Sequence, residues 1–145
     1  MRMMTCKGKL LTCSIHGRMN DEVADVQLFC VGKPKGTTYF KRWVHTPSLA
    51  PSKDLVTYTK MNKKGDWFKT YTKSLIGEWE NSTEFSQSFI RLLNLLSSGK
   101  TVAIACYCNP SKRSVCHLSI LADLVKDFGF EVEELPIKKG WENIP

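Results

Sequence analysis

The sequence predicts an α/β fold in which a mostly parallel sheet is sandwiched between helices, in a single domain over residues 1–145. The run Thr101–Ala105 is short and continuously apolar, which is typical of a strand buried on both faces of a parallel sheet. Helical patterns with one apolar face precede and follow this run. The chain has 145 residues, 42% of them hydrophobic, and no repeat or long linker, so it can bury one core.

Two strands are predicted near the beginning of the chain. Lys9–Ile15 and Val23–Val31 are rich in β-branched and apolar residues. The segment GKPKG at the end of the second run is a turn signal, because glycine and proline interrupt a strand. We therefore expect both runs to contribute to the sheet.

Three helices are predicted in the middle of the chain. Ser52 is a candidate N-cap for a helix that continues to Met61. A second helix follows Asp66, and a third follows the capping signal at Ser82 and ends near Gly99. The apolar faces of these two helices are formed by Trp67, Phe68, Tyr71, Leu75 and Ile76 and by Phe85, Phe89, Leu92, Leu93 and Leu96.

A strand, helix, strand unit completes the predicted fold. The helix is expected from about Ser111 to Phe128, with Gly129 at its end, and the segment EVEEL is expected to form the last strand. The inward residues of this helix are Val115, Leu118, Leu121, Ala122 and Val125. Such a crossover between parallel strands is right-handed.

Charge and hydropathy limit the partners. Lysine and arginine number 21 against 14 acidic residues, a net charge of +7, which attracts polyanions and phosphorylated ligands. The lysines are dispersed through turn-like segments, so we expect nucleic-acid binding to be weak, non-specific in sequence and steeply salt-dependent. Trp43, next to Lys41 and Arg42, is either a stacking side chain or a buried anchor.

No apolar run approaches the ~20 residues of a membrane span, and the first residues lack a signal-peptide pattern. We therefore expect a cytoplasmic protein without a membrane partner.

The segment ACYCNPSKRSVCH joins the predicted buried strand to the last helix. Ligands of open α/β sheets bind at the carboxyl ends of strands, and the start of a helix adds unpaired backbone amides and a partial positive charge. We therefore expect a small anionic or nucleotide-like ligand here. The candidate ligand-binding residues are Asn109, Ser111, Lys112, Arg113, Ser114 and Cys116, with His16 and Arg18 added if the first strand is central and parallel.

The same positive field would stabilise a thiolate, which is the nucleophilic form of cysteine. The candidate catalytic residues are Cys108, Cys106 and His117, and Cys108 is favoured because its neighbours in the loop are polar. The alternative is that Cys106 and Cys116 are core residues, since cysteine is often fully buried. Disulfides stay open because the six cysteines are even in number, although a reducing compartment disfavours them.

Two known site types fit this segment poorly. Thiol phosphatases place an arginine after five intervening residues, but Lys112 holds that position relative to Cys106, and Ser114 holds it relative to Cys108. Zinc sites usually separate paired cysteines by two or more residues, whereas one residue separates Cys106 from Cys108. We therefore expect no phosphate-ester hydrolysis by that mechanism, no structural zinc and no cofactor.

Two segments resemble the domain of unknown function 488 (DUF488) family, particularly its YeaO-like branch. WVHTPSLAPSKDLVTYTK followed by DWFKTYTKSL is similar to the Leu-Ala-Pro-Ser, aromatic, tyrosine and leucine pattern of that family. VAIACYCNPSKRSVCHLSILADLV is similar to its second signature, a strand ending in cysteine, a polar loop and a Cys-His pair that opens a helix. The resemblance covers about Trp43 to Gly129 and implies a compact α/β fold with a turn at Pro51 and Ser52 and a ligand site.

The family often has arginine directly after that histidine, where this chain has Leu118. A cationic role would therefore fall to Arg113 or Lys112. The resemblance implies nucleic-acid or nucleotide-related work without a settled reaction. The leading hypothesis is a thiol-dependent enzyme with its ligand site in the Cys/His loop, and the alternative is a non-catalytic basic module that binds nucleic acid or an acidic protein.

Overall fold

The sheet is built entirely from parallel strands. The computed structural model describes residues 7–15, 22–30, 43–106 and 117–136. The strands in these ranges are β1 (Lys9–Ser14), β2 (Val26–Phe29), β3 (Val44–His45), β4 (Val102–Cys106) and β5 (Glu131–Glu134). They lie in the spatial order β3, β2, β4, β1, β5, and each neighbouring pair is parallel. The predicted α/β class with a parallel sheet is confirmed.

The structure describes four α-helices, and the first three begin directly after the residues where the sequence predicts a helix start. They are α1 (Lys53–Met61), α2 (Trp67–Glu80), α3 (Thr83–Ser97) and α4 (His117–Asp127). The Ser52 hydroxyl accepts the Leu55 N–H at 3.1 Å, and the Ser82 hydroxyl accepts the Phe85 N–H at 3.0 Å. Each hydroxyl satisfies a backbone donor that the first helical turn leaves without a partner. None of these helices is long and apolar enough to cross a bilayer.

The central strand β4 separates two hydrophobic cores. Val102, Ile104 and Cys106 face the main core, to which α1, α2, α3 and α4 all contribute buried side chains. Ala103 and Ala105 face the second core, which the larger side chains of Leu11, Ile15, Phe29 and Trp43 fill. Both faces of the strand are therefore buried, as its continuous hydrophobicity predicts, and the helices that the structure describes pack on the first face.

Charged side chains hold and protect the outer strand β5. Lys9 donates a hydrogen bond of 2.6 Å to Glu133 and lies 3.5 Å from Glu131. The hydrogen bond to Glu133 is the main cause that raises the pKa of Lys9 above its ordinary value. The pairing therefore stabilises the fold at pH values below the ordinary pKa, and this contribution is lost as the pH rises through the raised value. The charges also oppose the addition of a further strand at this edge.

A close backbone contact fixes the start of β1 against the turn between α3 and β4. The Gly8 N–H donates to the Leu96 carbonyl oxygen at 2.7 Å. A Cβ atom at Gly8 would lie 1.8 Å from the Lys100 carbonyl oxygen and 2.7 Å from its carbon. Because backbone atoms cannot rotate away as a side chain can, only glycine fits this position.

Replacing Gly8 with alanine tests this contact. Gly8→Ala should lower the free energy of unfolding by about 3 kcal/mol, the upper range for an overpacked site, as measured by chemical denaturation. Gly77→Ala is the matched control, because a Cβ in this part of α2 meets no atom within 4 Å; it should raise stability by about 0.5–1 kcal/mol through helix propensity. Equal stability of the two variants would contradict the contact.

Ser52, from the predicted turn, joins the start of α1 to the end of α2. In addition to its capping bond, its backbone N–H donates to Glu78 Oε1 at 3.0 Å and its hydroxyl donates to Glu78 Oε2 at 2.5 Å. One serine therefore serves one helix as an N-cap and anchors the next helix through a carboxylate.

Removing the Ser52 hydroxyl should lower stability by about 1–2 kcal/mol, the range for a lost N-cap, in a denaturation experiment on Ser52→Ala. Ser52→Thr keeps the hydroxyl and should retain most of that stability. Ser74→Ala, at an exposed position of α2, controls for serine removal and should change little. A loss in Ser74→Ala as large as that in Ser52→Ala would exclude the proposed role of the hydroxyl.

Candidate functional site

Three adjacent strands end level with one another at the carboxyl edge of the sheet. Ser14 at the end of β1 is in register with Cys106 at the end of β4, and the Ile15 N–H donates to the Cys106 carbonyl oxygen at 2.8 Å. On the other side of β4, Phe29 is in register with Ala105, and the Cys30 N–H donates to the Ala105 carbonyl oxygen at 3.3 Å. Cys30 therefore lies beside Cys106.

Ser14, Cys106 and Cys30, here called the carboxyl-edge row, face the same side of the sheet. Side chains alternate between the two faces along a strand, and both Cys30 and Cys106 belong to the main core below the helices. Ser14 has the same alternation as Leu10 of that core. Each residue of the row is only 1% exposed. A hydroxyl and two thiols thus occupy positions where alternating strand residues are otherwise apolar.

His117 provides a buried imidazole on the helix that follows β4 along the chain. It is the first residue of α4 that the structure describes, and α4 packs over β1 and β5. Its side chain is buried, and the next residue, Leu118, is part of the main core. A neutral imidazole has one N–H donor and one acceptor, so it can orient or exchange a proton with a neighbouring group.

The structure describes two of the predicted site residues: Cys106 is the last residue of β4, and His117 lies in α4. Cys106 packs within the main core, as its core interpretation anticipates. The remaining predicted residues lie outside the described ranges: Cys108, Asn109, Ser111, Lys112, Arg113, Ser114, Cys116, His16 and Arg18.

The register nevertheless bears on His16 and Arg18, because their predicted position depends on the pairing of β1. That strand is parallel to β4 and adjacent to it. The segments 16–21 and 107–116 therefore follow neighbouring strand ends at the same edge of the sheet. The prediction for His16 and Arg18 required the first strand to be central and parallel, and β1 meets this condition.

Sequence reasoning missed Ser14 and Cys30, and it left Trp43 undecided. Cys30 lies inside the strand predicted over Val23–Val31, whereas β2 ends at Phe29. The end of a strand and the order of strands decide which residues meet at the edge, and a single sequence gives neither directly. Trp43 is 3% exposed and belongs to the second core, so the buried-anchor interpretation holds for its ring. Within the described ranges, no three His, Cys, Asp or Glu side chains are grouped so that they could hold a metal ion.

The burial of the thiols predicts their reactivity toward a small alkylating reagent. Cys13, Cys30 and Cys106 are at most 1% exposed, so iodoacetamide should modify them only when the chain opens. In the native protein their modification should be on the order of 1,000-fold slower than in denaturant, given the usual stability of a folded domain. Peptide mass mapping of a time course measures this. Fast modification of Cys106 in the native protein would show that the strand end is accessible.

Comparison with known proteins identifies a family. A search of curated proteins gave no significant match. A family model described as the active DUF488-N3 subclade matches residues 18–129. This range includes most of the chain, both segments that resemble the family, and the ends of β2 and β4, whereas β1 with Ser14 precedes it. The chain therefore belongs to the DUF488 family.

Proposed function

We propose that the protein is a thiol-dependent enzyme with its active site at the carboxyl edge of the sheet, where it takes a small anionic or nucleotide-like substrate. The observation that carries the proposal is the carboxyl-edge row of Ser14, Cys106 and Cys30, together with His117 at the start of α4. Parallel α/β sheets bind ligands at this edge. The description of the matched subclade as active supports an enzymatic role.

The burial of the row favours Cys108 over Cys106 as the nucleophile. A thiol that is 1% exposed within a packed core is poorly placed to reach a substrate that arrives from solvent. Cys108 follows two residues later in the segment that leaves β4. In this proposal Cys108 supplies the thiolate, and the buried row supports the strand ends from which the site is built.

The remaining roles follow from the chemistry of the side chains. Arg113 and Lys112 would neutralise the anionic group of the substrate, since a guanidinium forms two parallel hydrogen bonds to a carboxylate or phosphate. His117 would transfer or orient a proton near the thiolate. The residues proposed to add hydrogen bonds or to border the site are Asn109, Ser111, Ser114, Cys116, His16 and Arg18.

The rate of thiol alkylation across pH tests the nucleophile. Wild-type protein should contain one thiol that reacts quickly with iodoacetamide at a pH where ordinary cysteines are still protonated, and peptide mapping should assign it to Cys108. Inorganic phosphate or adenosine monophosphate should slow this reaction. Cys108→Ser should abolish the fast phase, whereas Cys6→Ser should retain it. If all thiols react slowly and uniformly, the non-catalytic binding module is the better explanation.

Two substitutions separate ligand binding from folding at this loop. Arg113→Ala should reduce protection by phosphate or adenosine monophosphate by the equivalent of ~1.5–3 kcal/mol, the value of a charge-assisted hydrogen bond, with an unchanged melting temperature. Cys116→Ser should lower the melting temperature and should affect protection only indirectly, because a hydroxyl would replace a thiol at a predicted inward-facing helix position. Early melting of Arg113→Ala with unchanged protection would instead make this loop a structural corner.

A further inference from the structure

The positive charge of the described residues is concentrated on one helical hairpin. The basic hairpin consists of residues 53–73, which form α1, the following turn and the first half of α2. It carries six lysines against two aspartates, whereas the other described residues carry five basic against ten acidic side chains. The lysines are Lys53, Lys60, Lys63, Lys64, Lys69 and Lys73, and all are exposed.

The described residues around the basic hairpin do not neutralise its lysines. The ion pairs between described residues involve Lys9 with Glu131 and Glu133, and Lys126 with Asp123. None of them uses a lysine of the basic hairpin. Six exposed cations on one supersecondary unit therefore produce a local positive potential, which attracts a polyanion.

The basic hairpin also carries aromatic side chains. The Tyr58 side chain on α1 is 60% exposed, and the rings of Trp67 and Phe68 at the start of α2 are half-buried. Lys63 Nζ lies 4.9 Å from the centre of the Trp67 ring, within the range of a cation–π interaction. The exposed Tyr58 ring offers a stacking surface for a base on the same hairpin that carries lysine partners for the phosphates.

We propose that the basic hairpin binds single-stranded nucleic acid, with its lysines on the phosphates and Tyr58 stacked on a base. A single strand fits better than a duplex because only unpaired bases present their faces for stacking. It also fits better than an anionic membrane, whose headgroups supply no aromatic ring, and better than an acidic peptide, because every nucleotide pairs a phosphate with a ring that can stack on Tyr58. This surface uses none of the residues proposed for the carboxyl-edge site, so either proposal can fail alone.

Fluorescence anisotropy with a labelled 20-nucleotide poly-dT strand at several salt concentrations tests the lysines. Lys63→Ala/Lys64→Ala/Lys69→Ala should weaken binding and make the slope of log K against log salt shallower by about 2, because each neutralised phosphate contributes roughly 0.7 to that slope. The control Arg91→Ala/Lys100→Ala/Lys126→Ala removes the same charge from exposed positions elsewhere and should leave the slope nearly unchanged. Equal effects of the two triple variants would overturn the proposal.

A matched pair of exposed aromatic residues tests the stacking. Tyr58→Ala should weaken binding of poly-dT by roughly 5- to 150-fold, the range for one stacked base, without changing the salt slope. Phe128→Ala removes a ring that is 58% exposed outside the basic hairpin and should leave affinity unchanged. No effect of Tyr58→Ala, or an equal effect of Phe128→Ala, would refute the stacking contact.

Competitors decide the class of partner. A duplex of equal length, phosphatidylserine vesicles and poly-glutamate should each compete more weakly than unlabelled poly-dT. A stronger competitor among them would assign the surface to that class instead. Absence of poly-dT binding at low salt would overturn the proposal, while the alkylation of Cys108 would continue to report on the carboxyl-edge site independently.

Discussion

The parallel pairing of β4 with β1 on one side and β2 on the other is the constraint on which the rest of the structure depends. All five residues of β4 are buried, so this strand must satisfy its backbone within the sheet and its side chains in two separate cores. Val102, Ile104 and Cys106 of β4 face the core that the helices cover. The two alanines between them face the second core, where their small side chains leave room for the rings of Phe29 and Trp43. The same register brings Ser14 and Cys30 to either side of Cys106.

The elements with strong local signals were predictable from the sequence, and the order of the strands was not. Caps at Ser52 and Ser82 and the continuous run of β4 are properties of neighbouring residues, whereas the two-residue strand β3 has no periodic pattern to detect. β1 and β2 are consecutive in the chain, yet β4 lies between them, so the carboxyl-edge row emerges only from the tertiary arrangement. The position of Cys106 at a strand end was predictable because it directly follows the continuous apolar run of β4.

The family pattern around Ser52 has a structural cause that is separate from any ligand. Leu49 is fully buried. The Ser52 hydroxyl accepts the Leu55 N–H of α1 and donates to the Glu78 carboxylate of α2. A Leu-Ala-Pro-Ser sequence thus combines a core anchor, a residue that favours extended backbone before it, and a helix cap. Such a motif identifies the fold strongly while saying little about chemistry, which explains why the resemblance implied a compact fold more firmly than a reaction.

The distribution of charge, unlike the Leu-Ala-Pro-Ser motif, becomes apparent only in the folded protein. The surplus of +7 is spread through short segments of the chain, and in that form it resembles a solubilising surface. In the folded protein, β5 and the ends of α2 and α4 carry acidic residues, so the part of the chain that the structure describes divides into one basic hairpin and an otherwise acidic surface. An electrostatic field depends on this separation more than on the total, because opposite charges within about one Debye length cancel each other. Among the described residues, the basic hairpin therefore attracts an anion more strongly than their summed charge indicates.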